Sequence, residues 1–592
     1  MPFHGRTVRG WVLGPAAEPP AGRLLPVRKV RSPVRFFDEG SLPLLRWISE
    51  RYLAPLATVI ERSCPPRVAG VEREVLATTG EGVATGGRHE VAASGLAGVD
   101  LDAMLAAGTT SWYRPLPGRE AEAAVAAVRA CLARGRRAIV IVPEADPVPG
   151  TARAVLEAFG ERVASLVGGS ERARYRAWLR VRSSRVDVVV GTRPAVLAPV
   201  RELGLVYVSR EVHPGHREDR APYYHVRDVA TARARLEGAA VVLASLSPSV
   251  ETVAAVAAGE VREVRHPRPD ERRAMPLVET AAPAAEDRSP RLGQLLRAAG
   301  SAALIVSRRG YGIARVCRAC RAAAACAACG GVVVVEAGEA RCRVCAARGR
   351  CAVCGGEEFG VERGGVERIA EWARRASRLP VDLEAAPANE PATEAPGEVE
   401  GEGERGGVPV ARGPSAGRIL VGTAAAVHDV GGVRMDLVAI LDPDRALARA
   451  GLHAGERALA TWMEAAAWAG PRAEGGRVLA QTRHPGHPAI QALVRWEPVP
   501  FLRWEGRRRG EAGFPPGHPV FRLTGPREPG DGPALAHALR GAGAGFVLET
   551  SGAEGTVCLV AVPPTGLASF RAAVLRLVAE GRVGRVEADP HL

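Results

Sequence analysis

Lysine is all but missing from this chain. Of 79 basic residues among 592, Lys29 is the only lysine. No segment beyond it can contain the Gly-Lys-[Ser/Thr] ending of a phosphate-binding loop, whose lysine reaches the phosphates. Aromatic residues make up only 4%, which argues against extensive base-stacking platforms. No apolar run approaches the ~18 to 20 residues of a bilayer-spanning helix, so no membrane partner is expected. Cysteine is scarce outside one short segment, with only Cys64, Cys131 and Cys558 elsewhere. That clustering and the lack of a signal-peptide pattern favour a reducing compartment over a disulfide framework.

Within that segment stand Cys317-Arg-Ala-Cys320, Cys326-Ala-Ala-Cys329, Cys342-Arg-Val-Cys345 and Cys351-Ala-Val-Cys354. Two residues between thiolates let a tight turn present both sulfurs to one tetrahedral ion, so four such pairs supply two closed four-cysteine zinc sites. Both sites read as structural, because no ligand position is left open. Between Cys329 and Cys342 the run Gly330–Glu336 and the turn Ala337-Gly338 predict a β-hairpin. The hairpin favours a nested wiring, in which Cys317, Cys320, Cys351 and Cys354 hold one zinc and Cys326, Cys329, Cys342 and Cys345 the other. The spacing alone does not exclude sequential pairing.

The net charge of +14 is carried by arginine. Arginine in place of lysine, beside abundant Ala, Gly and Val, reflects genomic base composition first, but an excess of this size favours a polyanionic partner, with nucleic acid leading. The length implies several domains. Residues 1–66 read as a small β-rich N-terminal domain, with strands in Met1–Leu13 and Leu24–Val30 and a helix in Leu42–Leu53. Residues 67–105 are Gly-, Ala- and Thr-rich and weakly periodic, as a linker is. From 106 to 270, apolar runs (Ala138–Val142, Arg162–Val167, Val186–Val190, Leu203–Val208, Ala240–Leu243) alternate with amphipathic helices, the signature of a buried parallel sheet. A second such lobe spans 285–500, with strands at Ala302–Val306, Ile419–Val421, Leu437–Leu441 and Val478–Gln481. It is interrupted by the cysteine module, 315–358, and by an acidic, Pro/Gly-rich stretch, 384–417, expected to be a disordered loop. Residues 501–592 read as a small α+β domain. The fold class expected is α/β, two tandem RecA-like lobes with an inserted eight-cysteine double zinc module.

Several segments together resemble the PriA family of bacterial replication-restart proteins (primosomal protein N′), superfamily 2 helicases. Ser170-Glu-Arg…Trp178, Val190-Gly-Thr-Arg-Pro-Ala-Val-Leu-Ala-Pro199, Ala221-Pro-Tyr-Tyr-His-Val-Arg-Asp-Val-Ala230 and Ala244-Ser-Leu-Ser-Pro-Ser-Val-Glu251 resemble its first-lobe segments. Ser307-Arg-Arg-Gly-Tyr311, Gly365-Val-Glu-Arg368, Ile419-Leu-Val-Gly-Thr423, Glu456-Arg457 and Gln481-Thr482 fall where second-lobe motifs belong. Pro2-Phe-His-Gly-Arg6 and Glu587-Ala-Asp-Pro590 match the family's two ends. The resemblance implies a cytoplasmic, nucleoid-associated monomer that binds branched or forked DNA and docks primosome proteins and the replicative helicase or its loader. It also implies a winged-helix domain, of which 67–105 would be a remnant, and a DNA 3′-end pocket whose upstream part has no counterpart here. A start placed too far downstream is the expected reason.

The departures concern phosphate chemistry. Where the family has Gly-Lys-[Ser/Thr], this chain has Gly118-Arg119-Glu120, a carboxylate where phosphate should lie. The acidic box after Leu203–Val208 reads Ser209-Arg-Glu-Val-His213, without its magnesium-binding aspartate, and the family's Gln-x-x-Gly-Arg-x-Gly-Arg appears as Glu464-Ala-Ala-Ala-Trp468-Ala-Gly-Pro471. Each loss alone removes orders of magnitude in rate from such an ATPase. The expectation is therefore a restart factor without ATP hydrolysis or unwinding, with zinc and not ATP as its working cofactor. An active ATP-dependent 3′–5′ helicase is the alternative, and a zinc-dependent protein-interaction module without DNA affinity is a third. Arg308, Arg309 and Tyr311, at a strand end beside the cysteines, are the candidate DNA contacts. Arg507-Arg-Arg509 reads as a solvated loop cluster, Glu211 as the acidic survivor of its box, and His213, His216 and His225 as scattered surface histidines.

Overall fold

The computed structural model describes residues 2–3, 6–7, 10–14, 27–77, 95–284, 288–307, 315–320, 322, 326–328, 333–336, 339–342, 347–361, 366–384, 414–449, 451–525, 532–552 and 555–590. The chain forms two compact units, one of residues 1–272, 451–460 and 497–592, the other of 273–450 and 461–496. Residues 451–460 and 497–500, assigned by sequence to the second lobe, thus belong to the first unit.

The first unit is built on a seven-stranded sheet: β1 (Thr110–Arg114), β2 (Arg137–Ile141), β3 (Val163–Leu166), β4 (Val188–Gly191), β5 (Leu203–Ser209), β6 (Ala240–Ala244) and β7 (Arg262–Arg265). They lie in the order β3-β4-β2-β5-β6-β1-β7 and every pairing is parallel. A parallel sheet needs cover on both faces, and the central strands are accordingly almost wholly buried. Ala123, Ala124, Ala127 and Val128 of the helix Glu120–Ala133 cover one face, small side chains that let the helix lie close. The other face packs against Leu45 and Ile48 of Leu42–Arg51, Val59 and Ile60 of Leu56–Arg62, and Val229 and Ala230 of Val226–Glu237.

The same core continues into the C-terminal sheet, β14 (Val520–Thr524), β15 (Phe546–Gly552), β16 (Gly555–Ala561) and β17 (Arg585–Ala588), antiparallel in the order β15-β16-β14-β17. Its last strand is tied to the lobe by buried Arg217, which donates to the Ala588 carbonyl at 2.7 Å, and by Arg51, which donates to Asp589 at 2.8 Å. The Glu587–Pro590 ending therefore has a structural use.

The second unit carries a six-stranded, all-parallel sheet: β8 (Leu277–Ala281), β9 (Ala302–Val306), β10 (Val381–Glu384), β11 (Ile419–Thr423), β12 (Leu437–Leu441) and β13 (Arg477–Gln481), in the order β8-β13-β12-β9-β11-β10. Leu292 and Leu296 of Pro290–Ala298 and Ile369, Ala370 and Ala373 of Val366–Ala376 close one face. The cysteine module enters after β9. Most of the acidic stretch expected as a disordered loop lies outside the described residues.

The N-terminal segment differs from expectation. Among the described residues its strands are limited to Pro2–Phe3 and Arg6–Thr7, and Val27–Val30 has no regular structure and is exposed. Nor is the described part of 67–105 a free linker. Its helix Ala69–Ala77 buries Val71 against Tyr175 and Trp178. Glu72, only 1% exposed, accepts from Ser32 at 2.7 Å, Tyr175 at 2.9 Å and Arg67 Nε at 2.6 Å. Burial pushes this carboxyl up, but the hydrogen bonds from Arg67, Ser32 and Tyr175 outweigh it and hold it below its ordinary value. A depressed carboxyl contributes stability that is complete above its unfolded pKa of about 4.3 and is lost as pH falls through the folded value. Glu72→Ala is expected to destabilise the first unit by about 2–3 kcal/mol at neutral pH in urea unfolding, with the gap from wild type closing below about pH 4.

Candidate functional site

In the cysteine module, the strands Arg315–Cys317 and Phe359–Val361 pair antiparallel, and Val333–Glu336 and Glu339–Cys342 form the expected hairpin. The first strand pair brings the outer cysteine pairs together. The four Sγ atoms of Cys317, Cys320, Cys351 and Cys354 all lie within 4.8 Å of one another, with Cys317–Cys354 at 3.4 Å and Cys320–Cys351 at 3.6 Å. Four thiolates about 2.3 Å from a tetrahedral ion stand about 3.8 Å apart, so this donor set fits a closed structural metal. The turn is shaped for it. The Cys351 N–H donates to Gly356 O and the Gly355 N–H to Cys351 O, each at 2.9 Å, with Gly355 at φ +72°. A Cβ on Gly356 would sit 3.2 Å from Cys317 Sγ and 3.4 Å from Cys354 Sγ. The backbone N–H groups of Cys354 and Val353 pull the Cys351 thiol down to about 7, toward the thiolate a metal requires.

Of the inner pairs, Cys326 and Cys342 are buried beside Val333, whereas Cys329 and Cys345 lie outside the described residues. So do Arg308, Arg309 and Tyr311.

The Gly118-Arg119-Glu120 turn joins β1 to the helix Glu120–Ala133. Gly118 has φ +74°, and its N–H donates to Glu120 Oε1 at 3.2 Å. Backbone amides at a strand-to-helix turn attract anions, and here the chain's own carboxylate takes the one just before the helix cap. Arg119 turns to solvent and pairs with Glu122 at 3.0 Å. Beneath the turn, the buried Tyr113 hydroxyl meets His266 Nε2 at 2.8 Å, while His266 Nδ1 lies 3.1 Å from the Ala97 carbonyl. If Nδ1 donates to that carbonyl, Nε2 accepts from the tyrosine.

At the end of β5, Glu211 is fully buried and accepts from the Ser249 N–H at 2.6 Å, with Arg227 at 3.5 Å. Burial raises its pKa, against the pull of Arg227. The neighbouring histidines are not scattered on the surface. His216 is buried and donates to the Ser209 carbonyl at 2.7 Å, and burial pulls it down to about 4. His213 and His225 accept from the Gly215 and Arg227 amides, each capping a helical turn.

Glu251, His453 and Glu456 also approach within 4.8 Å. Arginines take up that negative charge, with Arg227 3.8 Å from Glu251 and Arg509 3.1 Å from Glu456, so ion pairing accounts for the cluster without a metal. Arg509 is thus buried on the helix Val499–Glu511 and is not part of a solvated loop. In the second unit, Gln481 accepts from the Ser289 N–H at 2.8 Å and Trp468 stands edge-on to His428. Both are internal contacts. Sequence reasoning missed the pairing of Glu456 with Arg509, since the two lie far apart along the chain.

A family model described as the 3′DNA-binding domain (3′BD) of PriA matches residues 1–65. The probable replication restart protein PriA of Mycobacterium tuberculosis is 32% identical over 571 residues, covering 91% of this chain and 83% of its own. The chain belongs to the PriA family. The replication restart protein PriA of Treponema pallidum is 29% identical over 575 residues, covering 91% and 84%. The solved structure of RecG bound to a three-way DNA junction aligns at a TM-score of 0.39 and 12% identity, covering 80% of this chain and 52% of that one. Within this PriA relative the outer cysteines are the most completely assembled candidate site. Cys354→Ser is expected to lower the metal content of the purified chain by about one equivalent, read by elemental analysis, with thiol accessibility at Cys317 and Cys351 rising in parallel.

Proposed function

We propose that this chain is a replication restart protein that binds abandoned or stalled forks and promotes primosome assembly and replicative-helicase loading without hydrolysing ATP. Membership of the PriA family supports the restart role, and the match of residues 1–65 to a 3′DNA-binding domain supports recognition of a DNA end at the branch. One observation carries the absence of hydrolysis. The amide that would face phosphate in the first lobe is engaged by Glu120, and Arg119 points into solvent toward Glu122. A nucleotide would have to displace a carboxylate from its own N–H partner and then sit beside it, which is repulsive at every step. No lysine stands in that turn to compensate.

In this reading the two lobes serve as a scaffold for a branched substrate. The cysteine module carries two zinc ions in the nested arrangement, Cys317, Cys320, Cys351 and Cys354 for one and Cys326, Cys329, Cys342 and Cys345 for the other. It presents the surface to which primosome proteins and the replicative helicase or its loader dock. Arg308, Arg309 and Tyr311 lie next to it in sequence and contact DNA. The protein works as a monomer at the nucleoid.

The test is equilibrium binding of zinc-loaded protein to a labelled fork and to a duplex of equal length, with and without ATP and magnesium. Expected are tighter binding to the fork, a steep loss with salt from released counterions, and no response to nucleotide. Equal affinity for the two DNAs contradicts fork recognition. A nucleotide-dependent affinity contradicts the inert Gly118–Glu120 turn and favours the helicase alternative.

A further inference from the structure

The arginine triplet Arg507-Arg508-Arg509 is divided by the fold. Arg509 turns inward and is 3% exposed, paired with Glu456 at 3.1 Å and Glu505 at 3.3 Å. Its helix, Val499–Glu511, also buries Val499, Phe501 and Leu502. At about 100° per residue, this inward face leaves Arg503, Trp504, Arg507 and Arg508 within about 140° of arc on the other side. Arg503, Arg507 and Arg508 are exposed. Among the described residues none of the three makes an ion pair, Glu511 one turn beyond Arg507 included.

Other arginines of the first unit are matched by carboxylates. Arg172 and Arg176 share Glu74 at 3.0 and 2.6 Å, and Arg137 lies between Asp187 and Glu202 at 3.7 and 3.5 Å. Arg508 is also pre-oriented, its guanidinium 4.9 Å from the centroid of Trp504. Trp504 in turn is braced by Phe501, with centroids 6.0 Å apart. Stacking on an aromatic face holds a guanidinium while leaving its N–H edges available, and it lowers the entropy lost when an anion is bound.

We propose that the face formed by Arg503, Arg507 and Arg508 binds the phosphate backbone of DNA. Charge complementarity selects this occupant. Three uncompensated guanidinium groups on a rigid helix suit a repeating anion, and arginine forks match phosphate oxygens in pairs. Arg503 and Arg507 are one turn apart, about 6 Å along the axis, so they meet a strand as two separate contacts. The proposal rests on the DNA-binding reading above and gives it a surface. It differs from the Arg308–Tyr311 segment and from residues 1–65.

The test compares salt titrations of fork binding for wild type, R503Q/R507Q/R508Q, R503K/R507K/R508K and a charge-matched control, R172Q/R174Q/R176Q. Each lost phosphate contact removes about 0.7 to 0.9 from the slope of log affinity against log salt. The glutamine variant of the proposed face is therefore expected to lose about 2 to 3 from that slope. The lysine variant keeps most of it, and the control loses less than about 1. Unchanged thermal midpoints show that the exposed substitutions leave the fold intact. A slope equal to wild type, or equal to the control's, overturns the proposal while leaving fork binding in place. Wild type that binds no fork at low salt overturns the functional reading itself, and the surface with it.

Discussion

One buried charge network holds the first unit together. Glu456, 3% exposed, accepts from the Val250 N–H at 3.3 Å, meets His453 at 2.6 Å and pairs with Arg509 at 3.1 Å. At the preceding residue, Arg227 donates to Ser249 Oγ at 2.8 Å and lies 3.5 Å from Glu211, which accepts from the Ser249 N–H. Burial pushes the Glu456 carboxyl up, but the hydrogen bond and charge of His453, followed by Arg509, hold it far below the usual range. Buried charges of this kind tolerate no missing partner, because an orphaned ion in the interior costs several kcal/mol. The network gathers the turn after β6, residues 451–460 and the helix Val499–Glu511 into one body. It also fixes which way that helix faces, and so which arginines reach solvent.

Against this frame, the residues of the lobe that would handle phosphate in a helicase of the family are engaged with the protein itself. Glu120 meets the Gly118 amide, Arg119 meets Glu122, and Glu211 meets the Ser249 amide. A working phosphate site needs donors aimed at an external charge. Here the partners are internal, so the polar groups stabilise the turn. The cysteine module is organised by the opposite logic, with four thiol sulfurs converging on one point.

The sequence was most legible where burial is uniform. The central strands of both sheets read as apolar runs because both of their faces are covered, and β2, β5, β6, β9, β12 and β13 lie within a residue of expectation. The strands β1, β7, β8 and β10 escaped notice. β7 and β10 are edge strands, β7 with Arg262 in water and β10 with Leu383 exposed and Glu384 buried, and β1 hides Ser111 and Arg114 in a buried position. The eight cysteines announced a metal module because CxxC spacing is itself a geometry. Side-chain direction was not legible: nothing in Arg507-Arg-Arg509 says that the third arginine turns inward, since its buried partner Glu456 comes from a distant segment. His213, His216 and His225 look alike in sequence, yet one is a buried donor to a carbonyl and two are amide acceptors. Two roles are local caps of the amide two residues on, and the third is set by burial.

The central claim is that a PriA-family scaffold operates here without consuming nucleotide. DNA-stimulated ATP hydrolysis by the metal-loaded protein, measured beside an Arg119→Ala variant to gauge contaminating ATPase, addresses it most directly. The account predicts equal, background-level turnover for the two proteins while fork binding persists. Turnover that rises with DNA and disappears in Arg119→Ala would contradict it, and would show that arginine does a lysine's work in that loop.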